Sequence, residues 1–331
     1  MPVTLAQAQV NTQTDIDYMV IDNFRRYSYV LDSMTFDDTV NPGTGGATLT
    51  YGYVRLTGAG SSAFRAVNTE YTPGQATRAS TTVTLKPLGG SFNVDRILAN
   101  LGPAQTNEVN FQLNQLLLST RTRFQQEVIL GDTAVDANGF DGLSKLLTGT
   151  ANEQTTATNW VTPATQIAAQ QELDKLDELL SRVIPSTVGS GDIGAPGALP
   201  AGLKAILGNT KSIHQLKRLA RWAAMATTTQ DAAGRRVDMY GEWALVNIGD
   251  RQDGSGPIIP ITSDATDIYA VTFGLDALHG ASVAGSPLVR TFMPDFSLAG
   301  AVKTGEVEMG PLAICLRNLK SAAVYRSITV Q

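Results

Sequence analysis

Two stretches with strand character, ATLTYGYVRLT (residues 47–57) and STTVTLKPL (80–88), enclose a long polar tip, NTEYTPGQATRA (68–79). Their alternation and β-branched and aromatic content predict two paired strands, and residues 63–68 also read as extended. Pro73 and Gly74 place a turn in the tip. Yet the strands carry Thr, Arg and Val and few large apolar side chains. A two-stranded hairpin is marginal in water by itself, and this one cannot build its own core. It must lie on something else, either the body of its own chain or a neighbouring copy.

The remaining pattern is mixed. Ile16, Met19, Val20, Tyr27, Val30 and Leu31 recur at helical spacings and predict a helix near 14–33, broken by Asn41, Pro42, Gly43, Gly45 and Gly46. The clearest helix is 106–131, with Val109, Leu113, Leu116, Leu117, Phe124 and Val128 on one stripe, Thr106 as its cap and Gly131 at its end. At ~1.5 Å per residue it spans roughly 36 Å. A second helix is expected over 163–184, with Ile167, Leu173, Leu176, Leu180 and Val183 on one side, Pro163 in its first turn and Pro185 beyond its end. Residues 186–202 read as a linker, and 210–226 as a third helix. Short strands are expected at 244–248, 258–262, 267–274, 313–317 and 322–330. The order of elements predicts an α+β protein and not a wound parallel sheet.

Composition removes several function classes. The chain has 331 residues, 43% hydrophobic and only 17% charged, with a formal net charge of -5. A low charge fraction leaves neutral surface that is easily buried against other chains, and the acidic balance opposes sequence-reading nucleic-acid binding. Cys315 is the single cysteine, and His214 and His279 are the two histidines, so an intrachain disulfide is impossible and a His/Cys zinc site is not expected. The N-terminal residues lack the basic and apolar regions of a signal peptide. No apolar run approaches the ~18 residues of a membrane span.

Candidate chemical motifs fail on their own geometry. In GDTAVDANGFDGLSK (131–145), placing Gly139 at the sixth position of a calcium loop puts Asn138 fifth and Asp136 third, but leaves Ala134 first and Lys145 twelfth. The stretch reads as a turn. Gly189, Gly191 and Gly194 match GxGxxG, but Pro196 and Pro200 block the helix that a dinucleotide site needs. His214 reads as a solvated helix residue, His279 as a turn residue of the same exposed kind, Cys315 as a small core residue, and KRLAR (217–221) as a solvated basic face. No nucleophile elbow or Walker loop is present. No catalytic, cofactor or metal site is expected, and the chain does not read as an enzyme.

Taken in order, FRAVNTEYTPGQATR (64–78), VTLKPLGGSFNVDRILA (83–99), the long helix ending FQQEVILGD (124–132) and NGFDGLSKLL (138–147) resemble the major capsid proteins of tailed phages. That HK-type capsid fold is shared with encapsulin shells and the floor of herpesvirus capsids. The resemblance implies an N-terminal arm and helix over 1–46, an extended hairpin loop over 47–90, a peripheral domain over 91–199 with the spine helix 106–131, an axial domain over 200–311, and a return strand over 312–331 to the peripheral domain. It implies self-assembly into pentamers and hexamers of an icosahedral head that encloses double-stranded DNA without sequence-specific binding. The location implied is the virion, after assembly in the host bacterial cytoplasm. Arg65, Glu70, Tyr71, Pro73 and Arg78 would make inter-subunit contacts at the hairpin tip. The implied partners are other copies of the chain, portal protein and decoration protein. An encapsulin-type compartment with protein cargo is the alternative on the same fold, and an α+β enzyme without a recognisable motif is an alternative of another class.

Two departures from the best-known capsid of this type set further expectations. The arm begins almost at Met1, so a separate scaffolding protein, or none, is expected in place of a long N-terminal scaffolding segment. The hairpin holds no lysine from residue 47 to 85, and Lys86 sits at its base, so covalent crosslinking between subunits is not expected.

Overall fold

The computed structural model describes residues 28–41, 49–99, 108–161, 163, 165–183, 203–223, 228–230 and 236–331. In chain order these form helix α1 (Tyr29–Ser33) and strands β1 (Phe36–Val40), β2 (Thr50–Gly58), β3 (Thr77–Thr84) and β4 (Lys86–Asp95). Helices α2 (Arg96–Ala99), α3 (Glu108–Leu130) and α4 (Leu143–Leu147), strands β5 (Glu153–Gln154) and β6 (Thr158–Asn159), and helix α5 (Gln166–Ser181) follow. Then come β7 (Lys204–Gly208), α6 (Thr210–Trp222), β8 (Thr228–Gln230), β9 (Arg236–Tyr240), β10 (Trp243–Asn247), β11 (Ala265–Thr272), β12 (Leu278–Val283), β13 (Val289–Phe292), β14 (Val302–Leu316) and β15 (Ala322–Thr329). The mixed α+β class agrees with the sequence.

Two sheets make the body. One has eight strands in the order β5-β15-β11-β7-β10-β9-β8, with β6 also on β15. Its central strands carry near-continuous apolar runs, AIL in β7, IYAV in β11 and AAVY in β15, because both faces are covered. Side chains alternate between two cores. Ala205, Leu207, Tyr269, Val271, Ala322 and Val324 face a core shared with Phe124, Val128 and Ile129 of α3. Ile206, Ile268, Ala270, Ala323, Tyr325 and Ile328 face the other, against α5 and α6.

The second sheet joins β1, β12, β14 and β13, with β4 paired to the long β14. Leu312, Ile314 and Leu316 of β14 point into the α3 core. Ala313 and Cys315, one residue out of step, point to the opposite face, where Tyr51, Tyr53 and Leu85 pack. The hairpin β2-β3 is a separate two-stranded sheet. Its strands register from Thr50↔Thr84 to Gly58↔Thr77.

Helix ends follow local chemistry. Asn209 caps α6, accepting from Ser212 N at 2.9 Å, while its amide donates to Ile259 O and Thr266 Oγ1. Thr165 caps α5 by accepting from Ala168 N at 3.1 Å. At the end of α3 the chain folds back so tightly that a Cβ on Gly131 would run into Phe140 O and one on Gly142 into Glu127 O.

Several expectations change. Ile167 is exposed, because at 100° per residue it lies on the face of α5 opposite Leu176. Residues 258–262 form no strand. Ile258 and Ile259 are buried in an irregular segment where Pro260 cannot donate to a ladder. Residues 63–68 are unpaired, since the β2-β3 ladder stops at Gly58↔Thr77. The hairpin closes at Leu85, and β4 pairs with β14 from Lys86 onward. The sheets also cut across the expected ranges. Strand 322–329 lies inside the eight-stranded sheet together with 204–208 and 265–272, whereas 278–316 share a sheet with 86–95. Helix α5 packs on the eight-stranded sheet, not with α3. Most of the predicted helix 14–33, the cap Thr106, the linker 186–202 with its GxGxxG match, and the last residues of 210–226 lie outside the described residues.

One buried polar side chain ties three segments together. Gln125 of α3 is fully buried, accepts from Val30 N at 3.1 Å and donates to Ile248 O at 2.6 Å. Gln125→Leu keeps the bulk but leaves both backbone groups unsatisfied, which should cost roughly 2–4 kcal/mol. Urea unfolding of the two chains measures this, and an unchanged midpoint would contradict the clasp.

Candidate assembly interface

Among the described residues the hairpin is held at its root. Burial along β2 alternates, with Tyr51 and Tyr53 facing the five-stranded sheet and Val54 and Leu56 facing outward. Tyr51 Oη donates to Asp37 Oδ2 at 2.7 Å and accepts from Arg317 Nη2 at 2.5 Å, and His279 Nε2 lies 3.3 Å away. Arg317 also stands 3.8 Å from Asp37 and donates to Leu275 O. One step along the hairpin, Arg55 donates to Arg317 O and to Tyr53 Oη, and its guanidinium covers the Tyr53 ring at 5.1 Å. Two aromatic rings, two guanidinium groups and one carboxylate thus pin the strand to the end of β14.

Beyond the root, residues 59–76 are exposed throughout. Arg65, Glu70, Tyr71 and Pro73 lie in this tip, and Arg78 lies in β3 opposite Leu56, exposed like the others. Arg65 folds back over Tyr71, 5.2 Å from the ring centroid, and donates to Ala66 O and Thr69 O. The structure adds apolar residues that the expectation left out. Phe64 is 108% exposed, Val67 88%, Leu56 66% and Val54 64%. Between the root and the loop after α3 runs a cleft of about 430 Å³. Its floor is Tyr53, Val83, Phe140, Leu146, Ile314 and Leu316, and its rim includes Arg55, Thr82, Lys86, Thr133 and Asp141.

No protein-family model and no curated protein sequence matches the chain. Solved structures do, over its full length. The holo-SrpI encapsulin complex from Synechococcus elongatus PCC 7942 matches with a TM-score of 0.65 at 12% identity, covering 100% of this chain and 98% of that one. The capsid of a native GTA particle matches with a TM-score of 0.64 at 11% identity, covering 97% of each chain. The capsid of Myoviridae phage XM1 matches with a TM-score of 0.58 at 11% identity, covering 98% of this chain and 99% of that one. This chain has the HK-type capsid fold. Identity this low carries the fold and nothing further.

Within that fold the candidate chemical residues have mechanical surroundings. The loop 131–145 is closed by Lys145, whose ammonium lies 2.6 Å from Asp132 Oδ1, 2.9 Å from Asp141 Oδ1 and 3.0 Å from Thr133 Oγ1. The lysine that breaks the calcium pattern thus supplies the positive charge itself, and its hydrogen bond holds the Asp132 carboxyl below the usual carboxylate range. Among the described residues no group of three or more His, Cys, Asp or Glu is placed to hold a metal, and no helix is long and apolar enough to cross a membrane. Cys315 is buried, and burial pushes its thiol up to about 12. His214 is exposed. The KRLAR segment is not simply a solvated face. Lys217 pairs with Asp238, and Arg218 donates to Trp160 O and Val161 O.

His279 is the clear correction. It is fully buried in β12 and not in an exposed turn, with its ring 5.8 Å from that of Tyr51. Burial, then the Arg317 charge, push its pKa down to about 4, against partial opposition from Asp37 and Asp276. An exposed imidazole titrates near ~6.5, so as pH falls the unfolded chain takes up this proton first. The stabilisation is complete above that pH and drains away toward pH 4, by at most about 3 kcal/mol. His279→Gln should flatten the pH dependence of thermal stability in this window. Parallel slopes in the two chains would contradict the assignment.

Proposed function

We infer that this chain is a shell subunit, the major capsid protein of a tailed phage, and that it assembles into pentamers and hexamers around a double-stranded DNA genome. The observation that carries the inference is the hairpin: a pinned root, a ladder that runs to Gly58↔Thr77, and beyond it a tip whose Phe64, Val67 and Tyr71 are exposed among the described residues. Such a lever has no use in a monomer, since exposed apolar groups of this kind mark a protein contact. The full-length likeness to the XM1 and GTA capsids supports the same reading. In this role Arg65, Glu70, Tyr71, Pro73 and Arg78 act at subunit contacts. The five-stranded sheet with α3 serves as the peripheral part and the eight-stranded sheet as the axial part. The net charge of -5 favours containment of DNA by enclosure over binding to it. The subunit's role is structural, its place is the virion, and its partners are further copies, a portal protein, and separate scaffolding and decoration proteins.

A second reading, an encapsulin-type compartment with protein cargo, is favoured by the likeness to the SrpI complex over 100% of this chain. The two readings share the shell and differ in its contents.

Size-exclusion chromatography and negative-stain microscopy on the recombinant chain test the shell. Replacing residues 60–76 by a short Gly-Ser turn should leave folded subunits or capsomers with unchanged circular dichroism and abolish closed shells. Normal shells from that variant would overturn the lever. Nucleic acid inside particles from the natural source supports the capsid reading, and a protein cargo supports the compartment.

A further inference from the structure

The loop that walls the cleft contains Asn138-Gly139, the single Asn-Gly pair in the chain. Asparagine before glycine is chemically unstable in water, because glycine has no Cβ to keep its amide nitrogen away from the side-chain carbonyl before it. Asn138 is exposed, and among the described residues its side-chain amide has no hydrogen-bond partner, while its backbone N–H donates to Asp136 Oδ1 at 3.0 Å. Gly139 N donates to Asp136 O at 3.0 Å, and this bond must open before the nitrogen can react. It is one bond in an exposed loop, where local opening costs little. The neighbouring Asp141-Gly142 pair is held instead. Asp141 accepts from Thr133 N and pairs with Lys145, and Gly142 N donates to Gly131 O inside the tight turn.

We propose that Asn138 is a self-modification site, at which the chain converts a neutral amide into a carboxylate as it ages. Gly139 N attacks Asn138 Cγ, the Cγ–Nδ2 bond breaks, and the amide proton leaves with the side-chain nitrogen as ammonia. Water then opens the five-membered imide at either carbonyl and leaves aspartate or isoaspartate at position 138. The new charge has a receiver at the hairpin base. Among the described residues, Arg123 pairs with Glu127 and lies 3.8 Å from Asp136, and Lys145 holds Asp132 and Asp141. Lys86 reaches this loop as well, but meets only a carbonyl, Ala137 O at 3.0 Å. A carboxylate at the next residue supplies that ammonium with a counter-charge and ties the hairpin base to the loop. The modification goes beyond the shell reading and does not depend on it.

Timed incubation of the purified full chain in warm, mildly alkaline buffer, followed by tryptic mapping, tests it. Trypsin releases residues 124–145, in which Asn138 is the single asparagine. The expected result is growth of a product heavier by the exchange of NH2 for OH, placed at 138 by fragmentation. Isomerisation at Asp141 would leave the mass unchanged. Gly139→Ala asks only a small shift of the Glu127 side chain and needs no left-handed backbone, and it should slow the conversion several-fold. A native chain that keeps Asn138 intact while the same chain converts in urea would overturn the proposal, and so would a rate that Gly139→Ala leaves unchanged. Asn138→Asp supplies one product directly. Its thermal midpoint should lie above that of the natural chain at low salt and lose the lead at high salt, as a surface ion pair is screened. Adding Lys86→Gln should erase the lead. A midpoint at or below that of the natural chain at low salt would overturn the tie to the hairpin base.

Discussion

The antiparallel pairing of β4 with β14 is the contact on which the rest of the molecule depends. It runs from Asp95↔Val302 to Lys86↔Leu312 and joins segments that lie more than two hundred residues apart in sequence. Closing so long a loop carries an entropic cost, which a long ladder that buries Val94, Val307 and Met309 on one face can offset. Once formed, the pairing does three things. It extends the sheet across which α3 lies, it aims the exit of the hairpin, and it sets the alternation of β14, so that Leu312, Ile314 and Leu316 serve the body while Ala313 and Cys315 serve the hairpin root. Gly89 and Gly305 show how close the strands lie to their neighbours, since a Cβ on Gly89 would strike Val307 O and one on Gly305 the ring of Phe92.

From this follows a division of labour along the hairpin. The first residues of β2 belong to the body, because Tyr51 and Tyr53 have buried neighbours on β12 and β14. From Val54 onward the strand has lost that support on its outer face and presents apolar side chains to solvent. A two-stranded ribbon pinned at one end takes its direction from the contacts at that end. The root sets that direction with directional interactions, including hydrogen bonds to backbone carbonyls at Leu275, Leu316 and Arg317. A neutral hydrogen bond of this kind contributes about 1 kcal/mol and one from a guanidinium about 1.5–3 kcal/mol, so together they fix both the orientation and the attachment of the root.

Much of this was legible in the sequence, and the exceptions have physical causes. The long helix, the coreless hairpin and the α+β class could be read because each is a local pattern: a stripe in 106–131, an alternation in 47–57. Strand β7 is not legible, because KAILG is a short apolar run buried on both faces, with no period to mark it. The exposure of Ile167 is not legible, because a helix with apolar residues near its start does not reveal which of them the packing will use. The division into two sheets was out of reach for a different reason. Nothing local in AAVYRSITV says that it pairs with β11 between residues 265 and 272. The hairpin tip is legible in the sequence by its polarity, and that same polarity hides Phe64 and Val67, which stand exposed among charged and polar neighbours. His279 was read from its glycine-flanked surroundings as exposed, and its burial depends on Tyr51, 228 residues away.

The root also shows why a chain with Asp, His, Tyr and Arg side chains in contact need not be an enzyme. Asp37, His279, Tyr51 and Arg317 form the kind of cluster that elsewhere moves protons. Here burial keeps the imidazole neutral and raises the pKa of the Tyr51 hydroxyl further, with Asp37 adding to the effect. The hydrogen bonds from Tyr51 and Thr39 outweigh the burial of Asp37 and hold its carboxyl ionised. Every shift moves the group away from neutral pH, where a catalytic acid or base has to titrate. Groups held in fixed protonation states make dependable struts, and they fix the angle at which the hairpin leaves the body.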